Sequence, residues 1–127
     1  MLVKSIEVPI YSLDVIVCIT ESFKEAIKKF KLNDLDPNSY DEEALAFSYA
    51  NDHTGKLEIY LVFKPSDLSY DTIIHELTHL TSYWCKHRGI IYDEDNDEPI
   101  AYFNGYIGGK VMEIIEKFKK QLISESK

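Results

Sequence analysis

The segment DTIIHELTHLTSYW (71–84) carries His75 and His79 four residues apart, with Glu76 directly after the first histidine. On an α-helix four residues advance about 400°, so the two imidazoles point within about 40° of each other and can reach one metal ion. Glu76 projects about 100° away from His75, so its carboxylate is placed to contact a water molecule beside that ion. The pattern predicts two zinc ligands and a general base on one helical turn.

The neighbouring residues predict that this segment is a helix with one buried side. His75, His79 and Ser82 fall away from the middle of an apolar stripe, so we expect the histidines to face a cleft. The alternative is an ordinary helix in a metal-independent interaction protein, in which the spacing is accidental. The stripe consists of Ile73, Ile74, Leu77, Leu80 and Trp84.

A catalytic zinc site has three protein ligands and a water molecule, so a third ligand is expected downstream. His87 lies roughly 12 Å from His79 along the same helix and is better explained as a cation at the helix C terminus. We favour Glu98 because it begins the next predicted helix, with Glu94 as the second choice; alternatively, Glu98 only caps that helix. The remaining acids, which suit a solvated loop better than a calcium site, are Asp93, Asp95 and Asp97.

The stretch TIIHELTHLT resembles the active-site helix of the zincin metallopeptidases, and Thr72, Ile73, Leu77 and Thr78 match their extended pattern. The resemblance covers about residues 57–107 and implies that the preceding strand, KLEIYLVF, lies at a sheet edge. In the gluzincin subgroup the third ligand is a glutamate on the next helix, often followed by a small residue; here these are Glu98 and Ala101. The whole segment from HELTH to FNGYI is also similar to small phage-encoded proteins described as metallopeptidase-like, which implies an intracellular or virus-related setting.

The resemblance implies a zinc metallopeptidase that acts on a peptide or protein. Zn2+ would be bound by His75, His79 and Glu98, with Glu76 as general base. Tyr102, one turn after Glu98, is the expected oxyanion donor, and Tyr106, two turns after Glu98, would face the same side. Tyr83 and His87 are weaker options, and any one tyrosine also suits the edge of a core. The alternative function is a non-catalytic zincin-like metal-binding or interaction module of viral origin. The presence of Glu76 favours catalysis, because a structural site needs no general base.

The sequence pattern around these residues predicts the elements of one α+β domain over residues 1–127. We expect its helices to pack on a small, mostly antiparallel sheet. Strand 14–20 has a rival interpretation as part of a longer helix that starts at Ser12. Ser22 and Glu25 predict a capping box, and Gly105, Gly108 and Gly109 predict close packing or a kink. The predicted elements are strands 6–11 and 14–20, a helix over 20–32, a loop over 33–43, a hairpin over 44–63, a helix over 70–87, an acidic loop over 90–98 and a helix from Pro99 to about 123.

Composition limits the possible partners and compartments. The formal net charge of -8 argues against a nucleic-acid-binding surface. No signal peptide is evident, and the longest apolar run, VIVCI, is too short to span a membrane. Cys18 and Cys85 sit singly in apolar stretches and are expected to be buried, reduced thiols. We therefore expect a cytoplasmic protein.

Overall fold

The computed structural model describes residues 1–36, 46–53 and 55–125 of the chain. Within these ranges no helix has the length and apolar character needed to cross a bilayer. The strands are β1 (Leu2–Val8), β2 (Leu13–Ile19), β3 (Ala46–His53) and β4 (Lys56–Phe63), and the α-helices are α1 (Phe23–Lys29), α2 (Tyr70–Arg88) and α3 (Asp97–Glu125). Two short 3-10 turns cover Pro9–Tyr11 and Glu94–Asn96.

The four strands form one mixed sheet in the order β1-β2-β4-β3. The outer pairs, β1 with β2 and β3 with β4, are antiparallel, whereas the central pair β2 and β4 is parallel. The α+β class is thus confirmed, with a parallel pair that the prediction did not include. The expected edge position of KLEIYLVF is wrong, because β4 pairs on both sides and the edge strand beside it is β3.

Strand β2 is a strand because its alternate side chains are buried on opposite faces of the sheet. Val15 and Val17 belong to the core under α2 and α3, whereas Ile16 and Cys18 belong to the core under α1. A helix would place these residues on one stripe rather than on two faces, so the rival interpretation of a long helix from Ser12 is wrong.

Helices cover both faces of the sheet. The small helix α1 begins at Ser22, whose hydroxyl accepts a hydrogen bond from the backbone N–H of Glu25 at 3.2 Å, which confirms half of the predicted capping box. The two cysteines are free and buried in different cores, as expected for reduced thiols. Burial raises the pKa of the Cys18 thiol to about 11.

The histidine-bearing helix α2 has the ends that the sequence predicts. It starts after Ser69, whose hydroxyl accepts from the N–H of Thr72 at 3.3 Å, and it ends at Gly89, which adopts a left-handed φ of 68°. The predicted hairpin and final helix are also present, although residues 44 and 45, and residues 37–43 of the predicted loop, lie outside the described ranges.

Helices α2 and α3 pack antiparallel over the other face of the sheet. The indole of Trp84 stacks on Phe103, with ring centroids 3.8 Å apart and planes 6° apart. One turn earlier on α2 the hydroxyl of Thr81 donates to the side-chain oxygen of Asn104. Helix α3 is continuous through its glycines. A Cβ atom at Gly108 would lie an ordinary 3.7 Å from Leu77, so close packing does not require glycine there.

Arg88 ties the end of α2 to two turns of the sheet. Its guanidinium donates to the carbonyl of Tyr11 at 3.0 Å and to the carbonyl of Ser12 at 3.2 Å. It also reaches the carbonyl of Gly55 at 3.5 Å and lies 3.8 Å from the carboxylate of Asp52. A single planar group therefore links the β1–β2 connection, the β3–β4 turn and the C terminus of α2.

We expect Arg88→Ala to lower the free energy of unfolding by about 1–2 kcal/mol, because a charged donor is lost from several carbonyls at once. Lys86→Ala is the matched control: it removes an exposed cation from the same helical turn and should change stability by less than about 0.5 kcal/mol. Urea titration of both variants measures the difference. Equal effects of the two substitutions would contradict the role of Arg88.

We expect Gly109→Ala to stabilise the protein by about 0.5–1 kcal/mol, because alanine favours a helix interior over glycine and nothing lies within 4 Å of the added methyl group. Gly55→Ala should have the opposite sign, since Gly55 adopts a φ of 79° in the β3–β4 turn. Thermal unfolding of both variants tests this. Destabilisation by Gly109→Ala would indicate that the glycine serves another purpose.

Candidate functional site

His75 and His79 converge on one point beside α2. Their Nε2 atoms are 3.2 Å apart, and their ring centroids are separated by 4.9 Å with the planes at 72°. Two nitrogens bound to a tetrahedral zinc ion at about 2.0–2.1 Å are about 3.3 Å apart. The same distance suits a hydrogen bond between one protonated and one unprotonated Nε2. Both side chains are exposed, so this convergent pair is open to solvent and to an incoming ion.

Glu76, beside this pair, is buried with only 5% of its surface exposed. Its Oε2 atom has no hydrogen-bond partner among the residues that the structure describes. A buried polar atom left without a partner costs free energy. A carboxylate in this condition has an unused capacity to accept a hydrogen bond from water, and Glu76 directly follows His75 and lies three residues before His79.

The packing of α2 turns the histidine pair away from α3. The α2 residues that meet α3 are Leu77, Thr81 and Trp84. His79 lies roughly 140–160° around the helix axis from them. His87 lies on the flank of α2 that meets β3, because its Nδ1 is 3.3 Å from the carboxylate of Asp52. His79 lies two turns before His87, only about 80° around the axis, so His79 faces the β3 side of the molecule, while His75, about 120° from His87, lies on the exposed side of α2.

The edge strand β3 runs beside this flank. Helix α2 returns across the sheet after β4, and β4 is antiparallel to β3, so α2 and β3 run in the same direction. Because Asp52 at the end of β3 is level with His87, the histidine pair, about 12–18 Å back along α2, is level with the first half of β3. The outer edge of β3 pairs with none of the strands in the described ranges.

Glu98, the predicted third ligand, is exposed in the first turn of α3. The antiparallel contacts between Thr81 and Asn104 place Glu98 opposite about His87, and therefore about 12 Å from the level of His79 along α2. Glu94, the second choice, is exposed in the 3-10 turn before α3. Within the described ranges no group of three His, Cys, Asp or Glu side chains is close enough to hold a metal ion.

Tyr102, the predicted oxyanion donor, is 76% exposed and lies on another side of α3. It lines a groove with Ile10, Tyr11 and Tyr106, and it is about 100–160° around the α3 axis from the residues that meet α2. The structure thus brings the imidazoles of His75 and His79 together, buries Glu76 on the adjacent, inward side of α2, and leaves Glu98 and Tyr102 apart from the pair, because α3 packs on the opposite flank of α2.

Two further sequence expectations have clear outcomes. His87 lies in the last turn of α2 and pairs with Asp52, which fits its interpretation as a helix C-terminal cation. Ile74, assigned to the buried stripe, is instead 59% exposed. It lines an open groove between α2 and α3 with Thr78 and Ser82, and this groove separates the histidine side of α2 from α3.

Tyr83 is a neighbour of the site that sequence reasoning mentioned only as a weak oxyanion donor. Its ring stacks on the imidazole of His79, with centroids 6.3 Å apart and planes at 24°. The side chain is half-buried and packs against the main core. The signal in the sequence was the spacing, because Tyr83 continues the four-residue interval from His75 and His79 along the same flank.

Comparisons with known proteins do not extend this description: no protein-family model, curated protein or solved structure matches the chain.

Proposed function

We propose that the protein is a zinc-dependent metallopeptidase whose centre is formed by His75, His79 and Glu76. The observation that carries the proposal is the 3.2 Å approach of the two Nε2 atoms, on the same helical turn as Glu76, whose buried Oε2 atom has no partner among the described residues. Two convergent imidazoles suit a zinc ion, and a carboxylate on the same helical turn suits a general base.

The two histidines would hold the ion through Nε2. When bound, zinc would supply Lewis-acid activation of a water molecule and of the scissile carbonyl. The imidazoles are exposed on the outer side of α2, so an ion and a substrate can approach them from solvent. Their backbone is held by a helix whose other face is buried in the core, which keeps the two ligands at a fixed separation.

Glu76 would act on protons. Its unpartnered Oε2 would accept a proton from the attacking water molecule and later donate it to the leaving amine nitrogen. Burial strengthens each electrostatic interaction that this carboxylate makes, because the surrounding side chains exclude water. A structural metal site has no use for such a group, so the burial of Glu76 supports catalysis over a purely structural role.

The edge strand β3 supports a peptide as the substrate. Its outer edge is available among the described strands, and its first half is level with the histidine pair. An extended peptide can add to such an edge through main-chain hydrogen bonds, which bind any sequence that adopts a strand. The substrate carbonyl would then lie near the outer flank of α2, where the imidazoles are exposed.

A non-catalytic metal-binding or interaction module is the second candidate. It is favoured by one observation: the described residues supply two ligands to this site and no third His, Cys, Asp or Glu. Two exposed histidines can also bind a metal ion shared with a partner protein. Peptide hydrolysis that depends on Glu76 distinguishes the two candidates, since a shared structural ion needs no general base.

We expect the purified protein to bind about one Zn2+ per chain, and His75→Ala and His79→Ala to abolish binding, because each removes one of two ligands. His87→Ala is the matched control, a histidine of the same helix that should leave zinc content unchanged.

Glu76→Gln should keep the metal and lower peptide hydrolysis by about 100-fold or more. Elemental analysis and cleavage of an unstructured protein such as casein provide the measurements. Undiminished hydrolysis by Glu76→Gln would refute the role of Glu76.

The position of Glu98 gives a separate prediction. With α3 packed as described, Glu98 is about 12 Å from the level of His79, so Glu98→Ala should leave zinc affinity within about twofold of the wild type. Competition with a zinc-binding dye measures the affinity, and Glu94→Ala is the control. A tenfold or greater loss for Glu98→Ala alone would support the third ligand expected from the resemblance, with the first turn of α3 moving towards the histidines.

A further inference from the structure

The orientation of the His79 ring depends on a contact outside the ligand pair. His79 is exposed, and an exposed imidazole ordinarily samples several rotamers. Its Nε2 atom nevertheless points at the Nε2 atom of His75 rather than at solvent. The phenol ring of Tyr83 is the second aromatic neighbour of His79. The centroids of the Tyr83 and His79 rings are 6.3 Å apart, and their planes are at 24°.

Tyr83 is suited to hold another ring in place. It lies one turn after His79 on the same flank of α2, and helical side chains lean towards the N terminus, so its ring is directed at His79. It is half-buried and packs against the core that contains Trp84 and Leu80. A ring anchored in the core loses little further entropy when it restrains an exposed neighbour.

The contacts of His75 and His79 differ in a way that gives Tyr83 a specific role. The planes of the His75 and His79 rings are at 72°, whereas the ring of Tyr83 is nearly parallel to that of His79. The imidazole of His79 therefore has one steeply inclined and one nearly parallel ring neighbour, and rotation about its χ angles would change both arrangements. In metal sites, groups that orient a ligand in this way change affinity without touching the ion.

We propose that Tyr83 is a positioning residue that holds the imidazole plane of His79 so that its Nε2 atom meets the Nε2 atom of His75. The proposal rests on the proposed function for its relevance to zinc, but the positioning itself is a property of the metal-free chain. The aromatic ring is the part of Tyr83 that acts, so phenylalanine should replace it and an aliphatic residue should not.

The first experiment tests positioning without metal. In NMR spectra of the metal-free protein, the imidazole proton signals of His79 should show a ring-current shift that Tyr83→Phe retains and Tyr83→Leu removes. Tyr92→Leu is the matched control, because Tyr92 is an exposed tyrosine that lines the groove on the other flank of α2. His79 signals that are the same in the Phe and Leu variants would overturn the proposal.

The second experiment measures Zn2+ binding to the same variants by competition with a chelating dye. Tyr83→Leu should weaken zinc affinity by about tenfold, while Tyr83→Phe and Tyr92→Leu stay near the wild type. A folded Leu variant that binds zinc as tightly as the wild type would overturn the proposal. If the wild-type chain binds no zinc, the proposed function fails, and the positioning role of Tyr83 stands or falls on the NMR result alone.

Discussion

Burial of one face of α2 against the sheet is the constraint on which the candidate site depends. Ile73, Leu80 and Trp84 are almost fully buried, and together they fix the rotation of the helix about its axis. With that rotation fixed, Glu76 must point inwards and His75 and His79 must point outwards, because the helical repeat determines their relative angles. A rotation by one residue would bury a histidine and expose an apolar side chain, which the core does not tolerate.

The same constraint explains the unfavourable position of Glu76. A carboxylate oxygen without a partner lowers the stability of the fold, yet the helix cannot turn it out to solvent without removing Ile73 and Leu80 from the core. Such local conflicts between folding and side-chain chemistry are typical of functional sites. The parallel pair at the centre of the sheet and the Arg88 contacts at the end of α2 belong to the framework against which this face of α2 packs.

The positions of α3 and β3 on the two flanks of α2 also determine how open the candidate site is. Helix α3 occupies one flank through Phe103, Asn104 and Gly108, while the opposite flank carries His75, His79 and Tyr83 beside β3. The site is therefore built from one helix and bordered by an edge strand, rather than enclosed between two helices. If the proposed function is correct, an open site of this kind would suit an extended substrate, and the orientation of each exposed histidine depends on its neighbours on the same helix.

The sequence by itself determined the local elements and the histidine pair. β-Branched residues predicted β2, alternating apolar residues predicted β4, and Ser22 with Glu25 predicted the start of α1. Four-residue spacing on a helix forces His75 and His79 together whatever surrounds them. Only the tertiary structure decided the order of the strands, the edge position of β3 and the flank on which α3 packs. Those features depend on side chains distant in sequence, such as Trp84 on Phe103 and Thr81 on Asn104, and no local periodicity encodes which face of one helix meets another. For this reason the ligand pair follows from spacing alone, whereas the placement of Glu98 and Tyr102 does not.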